Sequence, residues 1–274
     1  MIIQKSVRVL QYVVLAIAAV LVIYPLWFTF AAALMSTEEA SHYPPSLYPH
    51  ALYWKNFGAA LQMVPILRFI SNSFIISFVV MVAQVITASL AAYAFSFVRF
   101  YGKNFWFVVF LSTMMIPWEV TIIPNYLTIK SLNWLNTYQG LMVPFFASAF
   151  GVFMLRQYFL QLPKDLFEAA KVDGCGHVRY FFSMVLPLSR PALATLGVYV
   201  FLQMWNMYLW PLLITSTAEM RTVQIGISML QWQENMSWNL VLAGIAIVLL
   251  PSLLLLVLGL KQLVRGIMSG AVKA

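Results

Sequence analysis

Residues Leu162–Ala192 read LPKDLFEAAKVDGCGHVRYFFSMVLPLSRPA. Pro163 suits a first helical position, where its missing N–H costs nothing. Asp165 and Glu168 fall in the early turns, where the helix dipole favours anions, and Lys171 falls later. After Asp173, Gly174 is a natural left-handed stop, because glycine takes that conformation without strain. A second short helix is predicted from about Gly176 to Val185, ending near Leu186-Pro187. The segment therefore predicts two short helices joined by a glycine turn and lying at a membrane surface. Ala169 and Ala170 leave one face of the first helix with little bulk, so that another surface can approach closely.

Outward from this segment the chain turns apolar on both sides. Of 274 residues, 62% are hydrophobic and 9% charged, and the mean hydropathy is +0.86. Soluble chains run at roughly 45–50% and 25%. This balance excludes disorder, a collagen-like repeat, a disulfide scaffold and a nucleic-acid-binding reading of the +8 charge. The lone cysteine, Cys175, can form no internal disulfide. A bilayer-crossing helix needs about 20 apolar residues. Six stretches qualify, at about residues 10–35, 70–97, 105–123, 138–159, 191–215 and 240–260. Backbone groups in hydrocarbon must bond internally, so these are helices, and no alternating barrel pattern is present. The expected fold is all-α and polytopic, a single transmembrane domain over residues 1–274.

Charge sets the orientation. With the N-terminus inside, twelve of the sixteen lysines and arginines fall on the cytoplasmic side. They lie before the first span, between the second and third, around residues 161–190 and after residue 260; Lys55, Arg68, Lys130 and Arg221 stay outside. Both termini are thus expected in the cytoplasm of a prokaryote, on the inner face of its cell membrane. The first apolar run is too long for the core of a signal peptide and reads as a retained anchor. The outer stretch from Ser36 to Phe69, with Pro44, Pro45, Pro49 and Pro65 among aromatics, predicts an ordered interfacial cap.

The spacing within the loop resembles the EAA signature of ABC importer permeases: Glu168, Ala169, Ala170, then Gly174, then Met184, Leu186 and Pro187. Met184 departs mildly from the usual isoleucine. Asn72-Ser73, Ser89 to Phe95, Met114 to Pro117, Trp205-Asn206, Leu209 to Leu212 and the terminal Gly270-Ala271-Val272-Lys273 extend the likeness. Together they resemble the carbohydrate-uptake, maltose-type branch, which implies a type I ABC importer permease fold. The resemblance implies that the loop, Asp173 included, is a coupling helix docked on a cytoplasmic ATPase dimer, with Glu168 its charged contact and Gly174 its turn. It further implies a second permease subunit, an extracytoplasmic solute-binding protein and a carbohydrate substrate. ATP and magnesium would sit on the ATPase, with no cofactor on this chain. The alternative for Glu168 is a solvated acid paired with Lys164 or Lys171 at helical spacing. His177 and Cys175 read as ordinary interfacial residues, because no second ligand or base accompanies them.

Candidates for the substrate path are the polar and aromatic residues within spans. Glu119, near Pro117 and Pro124, is the one acidic residue placed in a span, and Trp205, Asn206, Tyr208 and Trp210 cluster in the fifth. Such groups suit sugars, by stacking and by hydrogen bonds to hydroxyls. Equally, the tryptophans can be packing residues and Asn206 an interhelical hydrogen bond. Tyr208 is similar to the glycerol-3-phosphate members. Against that, no basic residue is placed along a span to meet a phosphate, Arg156 being counted at the cytoplasmic end. No phosphate-binding Gly-x-x-x-x-Gly-Lys-Ser/Thr cradle, His-Glu-x-x-His or paired-carboxylate site occurs, so the chain cannot energise transport alone and an enzyme reading is poor. An ion-coupled secondary transporter is the rival, but it lacks a visible internal repeat. The tail 261–274 offers two readings. Gly270, Ala271, Val272 and Lys273 form an extended segment inserted into the ATPase, or Lys261, Arg265 and Lys273 hold a frayed end on anionic lipid.

Overall fold

The computed structural model describes residues 2–44, 46–231 and 237–271. Among the described residues there are helices and no strand, so the all-α class expected from the apolar runs holds. The chain divides into two compact parts. One comprises the residues up to Leu67 together with Gly226–Pro251, and the other comprises Arg68–Ile225 together with the chain from Ser252.

In the first part, α1 (Ile2–Ala33) is apolar on every side. Its middle has no cover, with Leu10 64%, Tyr12 71% and Leu21 69% exposed. Among its described side chains only those of the last turns pack, where Ala31, Ala32 and, just beyond, Met35 form a small buried cluster with Phe28, Ala40 and Leu242. The proline-rich stretch that follows is ordered, with two short helices, α2 (Thr37–Ser41) and α3 (Lys55–Met63). Ser36 opens α2 with a reciprocal capping box to Glu39. The Glu39 carboxylate also meets His50 Nδ1 at 2.7 Å. The backbone N–H of Ser36, and then His50, hold its pKa below the usual carboxylate value. Asn56 of α3 is buried and donates to the carbonyls of Ala33 and Met35 at 2.9 and 2.8 Å, satisfying the open end of α1.

The second part is organised on α4 (Ile66–Phe97), which is long and apolar enough to cross a bilayer unbroken. The predicted third, fourth and fifth spans are each broken. The helix α5 (Lys103–Ser112) runs through a 3₁₀ turn at Thr113–Met115 and bends by 95° into α6 (Trp118–Ser131). Proline forces its predecessor out of the helical region, and Ile116 is extended at φ −87°, ψ 113°. The helix α7 (Tyr138–Met142), with its 3₁₀ turn Val143–Phe145, meets α8 (Ala149–Phe159) at 42°. Two side chains of α4 satisfy the carbonyls freed there: Gln84 Nε2 donates to Phe145 at 2.8 Å and Thr87 Oγ1 to Phe146 at 2.7 Å. A side chain at Gly151 would lie 3.2 Å from Ala88 of α4 and 3.4 Å from Leu196, so glycine lets three helices close on one another.

Continuing along the chain, α9 (Lys164–Val172) and α10 (His177–Tyr180) form the loop between α8 and the fifth predicted span. A π turn at Phe181–Val185 leads into α11 (Leu186–Leu188), and a 75° bend at Ser189 opens α12 (Arg190–Trp205). The fifth span then stops at Asn206 and resumes as α13 (Leu209–Ile214). The connection after α13 is tightly bonded to α4. Asn72 donates to the carbonyls of Glu219 and Arg221 at 2.8 and 2.9 Å and accepts from Tyr138 at 2.7 Å. Next come α14 (Val223–Gln231) and α15 (Trp238–Ala271), longer at both ends than the predicted sixth span. In the first part, Asn239 of α15 donates to the Met35 carbonyl at 3.2 Å.

Candidate functional site

The loop forms as its residues dictate, with adjustments. Pro163 sits one residue ahead of the first helical position, at φ −56° and ψ 127°. Asp165 lies in the first turn of α9 and Lys171 in the last. Gly174 takes φ +71°. Its N–H donates to the Lys171 carbonyl at 3.1 Å, and the Cys175 N–H donates to Ala170 at 2.8 Å. Those two bonds are the paired closure of a left-handed helix stop. Nothing lies within 4 Å of the place a Gly174 side chain would occupy, so the requirement for glycine is conformational.

The two alanines do not share a face, contrary to the expectation of one smooth surface. Ala170 is buried against the bundle, whereas Ala169 is exposed together with Asp165, Glu168, Val172 and Asp173. The outward edge of α9 is therefore acidic and apolar. Between Glu168 and Lys171 no ion pair forms among the described residues; the Lys164 side chain lies outside them. Nor does the second helix end at Leu186-Pro187. It continues to Leu188, because the π turn widens the helix just ahead of Pro187. A proline ring clashes with the preceding turn of a regular helix, and one extra residue per turn relieves it.

Behind the loop lies an aromatic plate that sequence reading missed. Tyr93 and Phe97 of α4, Phe159 of α8, Phe167 of α9, and Tyr180 and Phe181 pack ring on ring, with centroids 5.1–6.5 Å apart. His177, expected to be an ordinary interfacial residue, has a specific partner: its Nδ1 lies 2.9 Å from the Tyr93 hydroxyl. A cleft of about 390 Å³ opens beside it, with Arg99, Lys171 and His177 around Phe97, Phe167 and Tyr180. Two cations counted above only for orientation clamp the end of α4. Lys103 Nζ donates to the Ser96 and Val98 carbonyls at 2.9 and 3.0 Å, and Arg156 Nε to Phe95 at 3.2 Å. Arg156 also lies 4.0 Å over the Phe107 ring. Positive charge belongs at a helix C-terminus, and Gly102 at φ 72° makes the turn that brings Lys103 there.

The substrate-path candidates separate into two groups. Trp205 and Trp210 are each 1% exposed. Trp205 stacks on Phe201, and Trp210 donates to the Gly140 carbonyl at 3.1 Å while packing edge-on to Trp118 and Phe145. With no ring face open, both are packing residues here. Glu119, Asn206 and Tyr208 are exposed and all stand at breaks. Glu119 lies in the first turn of α6, just past the 95° bend. Asn206 closes α12, donating to Leu202 at 2.8 Å and accepting from Gln224 at 3.2 Å. In the tail, Gly270 and Ala271 are still helical, which corrects the expectation of an extended segment at those positions. Val272 and Lys273 lie outside the described residues.

Residues 84–267 match the family model described as binding-protein-dependent transport system inner membrane component. The chain is 36% identical over 272 residues to the sn-glycerol-3-phosphate transport system permease protein UgpE of Yersinia enterocolitica, covering 96% of this chain and 97% of that one. The protein of the same name from Brucella suis is 34% identical, with 95% of each chain covered. Among solved structures, the crystal structure of a bacterial ABC transporter involved in the import of the acidic polysaccharide alginate contains a chain that superposes with a TM-score of 0.85 at 22% identity. That alignment covers 94% of this chain and 96% of that one.

Proposed function

The chain belongs to the binding-protein-dependent transport system inner membrane components, and from that membership we propose that it is one of two permease subunits of an ATP-driven importer. The observation that carries this reading is the loop itself. A short helix with an acidic and apolar outer edge is fixed by a left-handed glycine and backed by an aromatic plate. Such a helix suits docking in a groove of a separate cytoplasmic ATPase. Hydrolysis belongs to that partner, and a solute-binding protein delivers substrate outside. Two unbroken helices, three bent pairs each taken as one span, and α15 make six spans, which leave both termini in the cytoplasm. Alternating access then works by movement at the breaks.

The substrate is a small polyhydroxylated solute, and the relatives named for sn-glycerol 3-phosphate make that compound the first to test. The exposed carboxylate of Glu119 repels phosphate, whereas the Asn206 amide suits hydroxyls. The glycerol end would face this chain and the phosphate the companion subunit. The tail, from Val272, extends the docking surface.

The test is ATP-dependent uptake of sn-glycerol 3-phosphate, against maltose, by the complete transporter in proteoliposomes. Gly174→Val forces a β-branched residue into a left-handed conformation, at roughly 1–2 kcal/mol. It should uncouple hydrolysis from uptake while the chain still inserts. Glu168→Lys should weaken co-purification of the ATPase, and loss of Gly270–Ala274 should impair coupling. Wild-type coupling and co-purification in the Gly174 and Glu168 variants would reject the docking reading.

A further inference from the structure

The chain itself links the cytoplasmic loop to α8 and α12, but much of the loop's side-chain grip falls on α4. Tyr93 and Phe97 stand one turn apart on one face of the last turns of α4. The Tyr93 hydroxyl donates to the His177 carbonyl at 3.1 Å. With that hydrogen committed, its oxygen accepts from the Nδ1–H of the same residue at 2.9 Å. Phe97 meets Phe167 of α9 and Tyr180 of α10, each at 5.6 Å. One face of α4 thus holds both short helices of the loop. Tyr93 is 7% exposed, so no water competes freely for these bonds.

The same helix grips the broken spans further along. Gln84 stands nine residues before Tyr93, about 13 Å along the axis at 1.5 Å per residue. Its bond to the Phe145 carbonyl lies at the 42° break. Phe145 in turn packs at 5.1 Å on Trp118, next to the 95° break, and at 6.1 Å on Trp210, beside the α12–α13 break. Coupling between distant sites runs through packed side chains, hydrogen bonds and stiff elements that connect segments able to rearrange. An unbroken helix bonded to the loop at its last turns and to the breaks near its middle has that form.

We propose that Tyr93 is a positioning residue that passes displacement of the coupling loop sideways into α4, which relays it through Gln84 to the broken spans. This rests on the reading of α9 as the ATPase-docking helix. The test uses the complete transporter in proteoliposomes, with solute imported per ATP hydrolysed as the readout. Tyr93→Phe keeps the ring and removes the hydroxyl. The complex should assemble and hydrolyse ATP, but import per ATP should fall at least about fivefold, the factor that one of the hydroxyl's two hydrogen bonds is worth. A merely structural role would lower the yield of complex and leave the ratio unchanged. His177→Ala removes the Nδ1 bond and the imidazole's ring contacts with Tyr93 and Phe167 but keeps the carbonyl bond. The loss it causes should be smaller than that of Tyr93→Phe, and the two losses should not sum in the double variant. A wild-type ratio in Tyr93→Phe, or losses that add in the double variant, overturns the proposal. Should Tyr93→Phe fail to assemble, a wild-type ratio in His177→Ala overturns it. Gly174→Val separates the two readings. If it uncouples and Tyr93→Phe does not, only the lateral path is wrong; if neither does, the docking reading falls first.

Discussion

A β-carbon at Gly140 would lie 2.3 Å from the carbonyl oxygen of Trp134, a backbone atom that cannot swing aside. Gly140→Ala should therefore strain the turn and disturb the Trp210 bond to the Gly140 carbonyl, destabilising the protein by about 1–3 kcal/mol. Gly58, inside α3, has nothing within 4 Å, so Gly58→Ala should stabilise by up to about 1 kcal/mol through helix propensity. Thermal unfolding of the purified protein in detergent checks both, and equal midpoints would refute the steric assignment at Gly140. At this scale the sequence was informative where conformation is local. Gly174 could be read because a left-handed stop needs only its neighbours. The roles of His177 and Arg156 could not, because each depends on a partner from a distant part of the chain. Trp205 and Trp210 show a different limit: an aromatic ring in a span serves packing and sugar stacking equally well, and only burial separates the two.

The helices carry the same division between local and distant causes. Apolar length announced where the long helix α4 and the bent helix pairs lie, and Pro117 marks one break by sterics alone. The break between α7 and α8 has local marks of its own, Pro144 in the 3₁₀ turn and Ser148 capping α8, but the grip that holds it shows only when the freed carbonyls are traced to their donors. Those donors make the break testable. Gln84→Leu keeps volume and leaves the Phe145 carbonyl without its bond, which should lower stability by about 1 kcal/mol, towards the upper end for hydrogen bonds between membrane helices. The thermal midpoint should fall, and Thr87→Val, which removes the bond to Phe146, should lower it further in combination. An unchanged midpoint in the double variant would mean that the break needs no grip from α4.

For the molecule in its membrane, the decisive property is which candidate residues meet water. In a chain with Cys175 replaced by serine, cysteines at Glu119 and Asn206 should react with polar thiol reagents in at least one nucleotide state. Cysteines at Trp205 and Trp210 should stay protected in all of them. Protection at every position would remove the proposed path from this chain. A further consequence follows from the first compact part, where the Asn239 amide reaches the Met35 carbonyl, 204 residues earlier in the chain, and Leu242 packs on Ala31 and Ala32. Translation makes the two halves of that contact at nearly opposite ends of synthesis. The middle of α1 has no packing to wait for and can enter lipid as soon as it leaves the ribosome. Its last turns gain Ala40 and Asn56 early but lack Asn239 and Leu242 until almost the whole polypeptide has emerged. A chain truncated before Asn239 therefore displays an open seam at Ala31–Met35, which gives membrane proteases a physical mark for telling unfinished copies from finished ones.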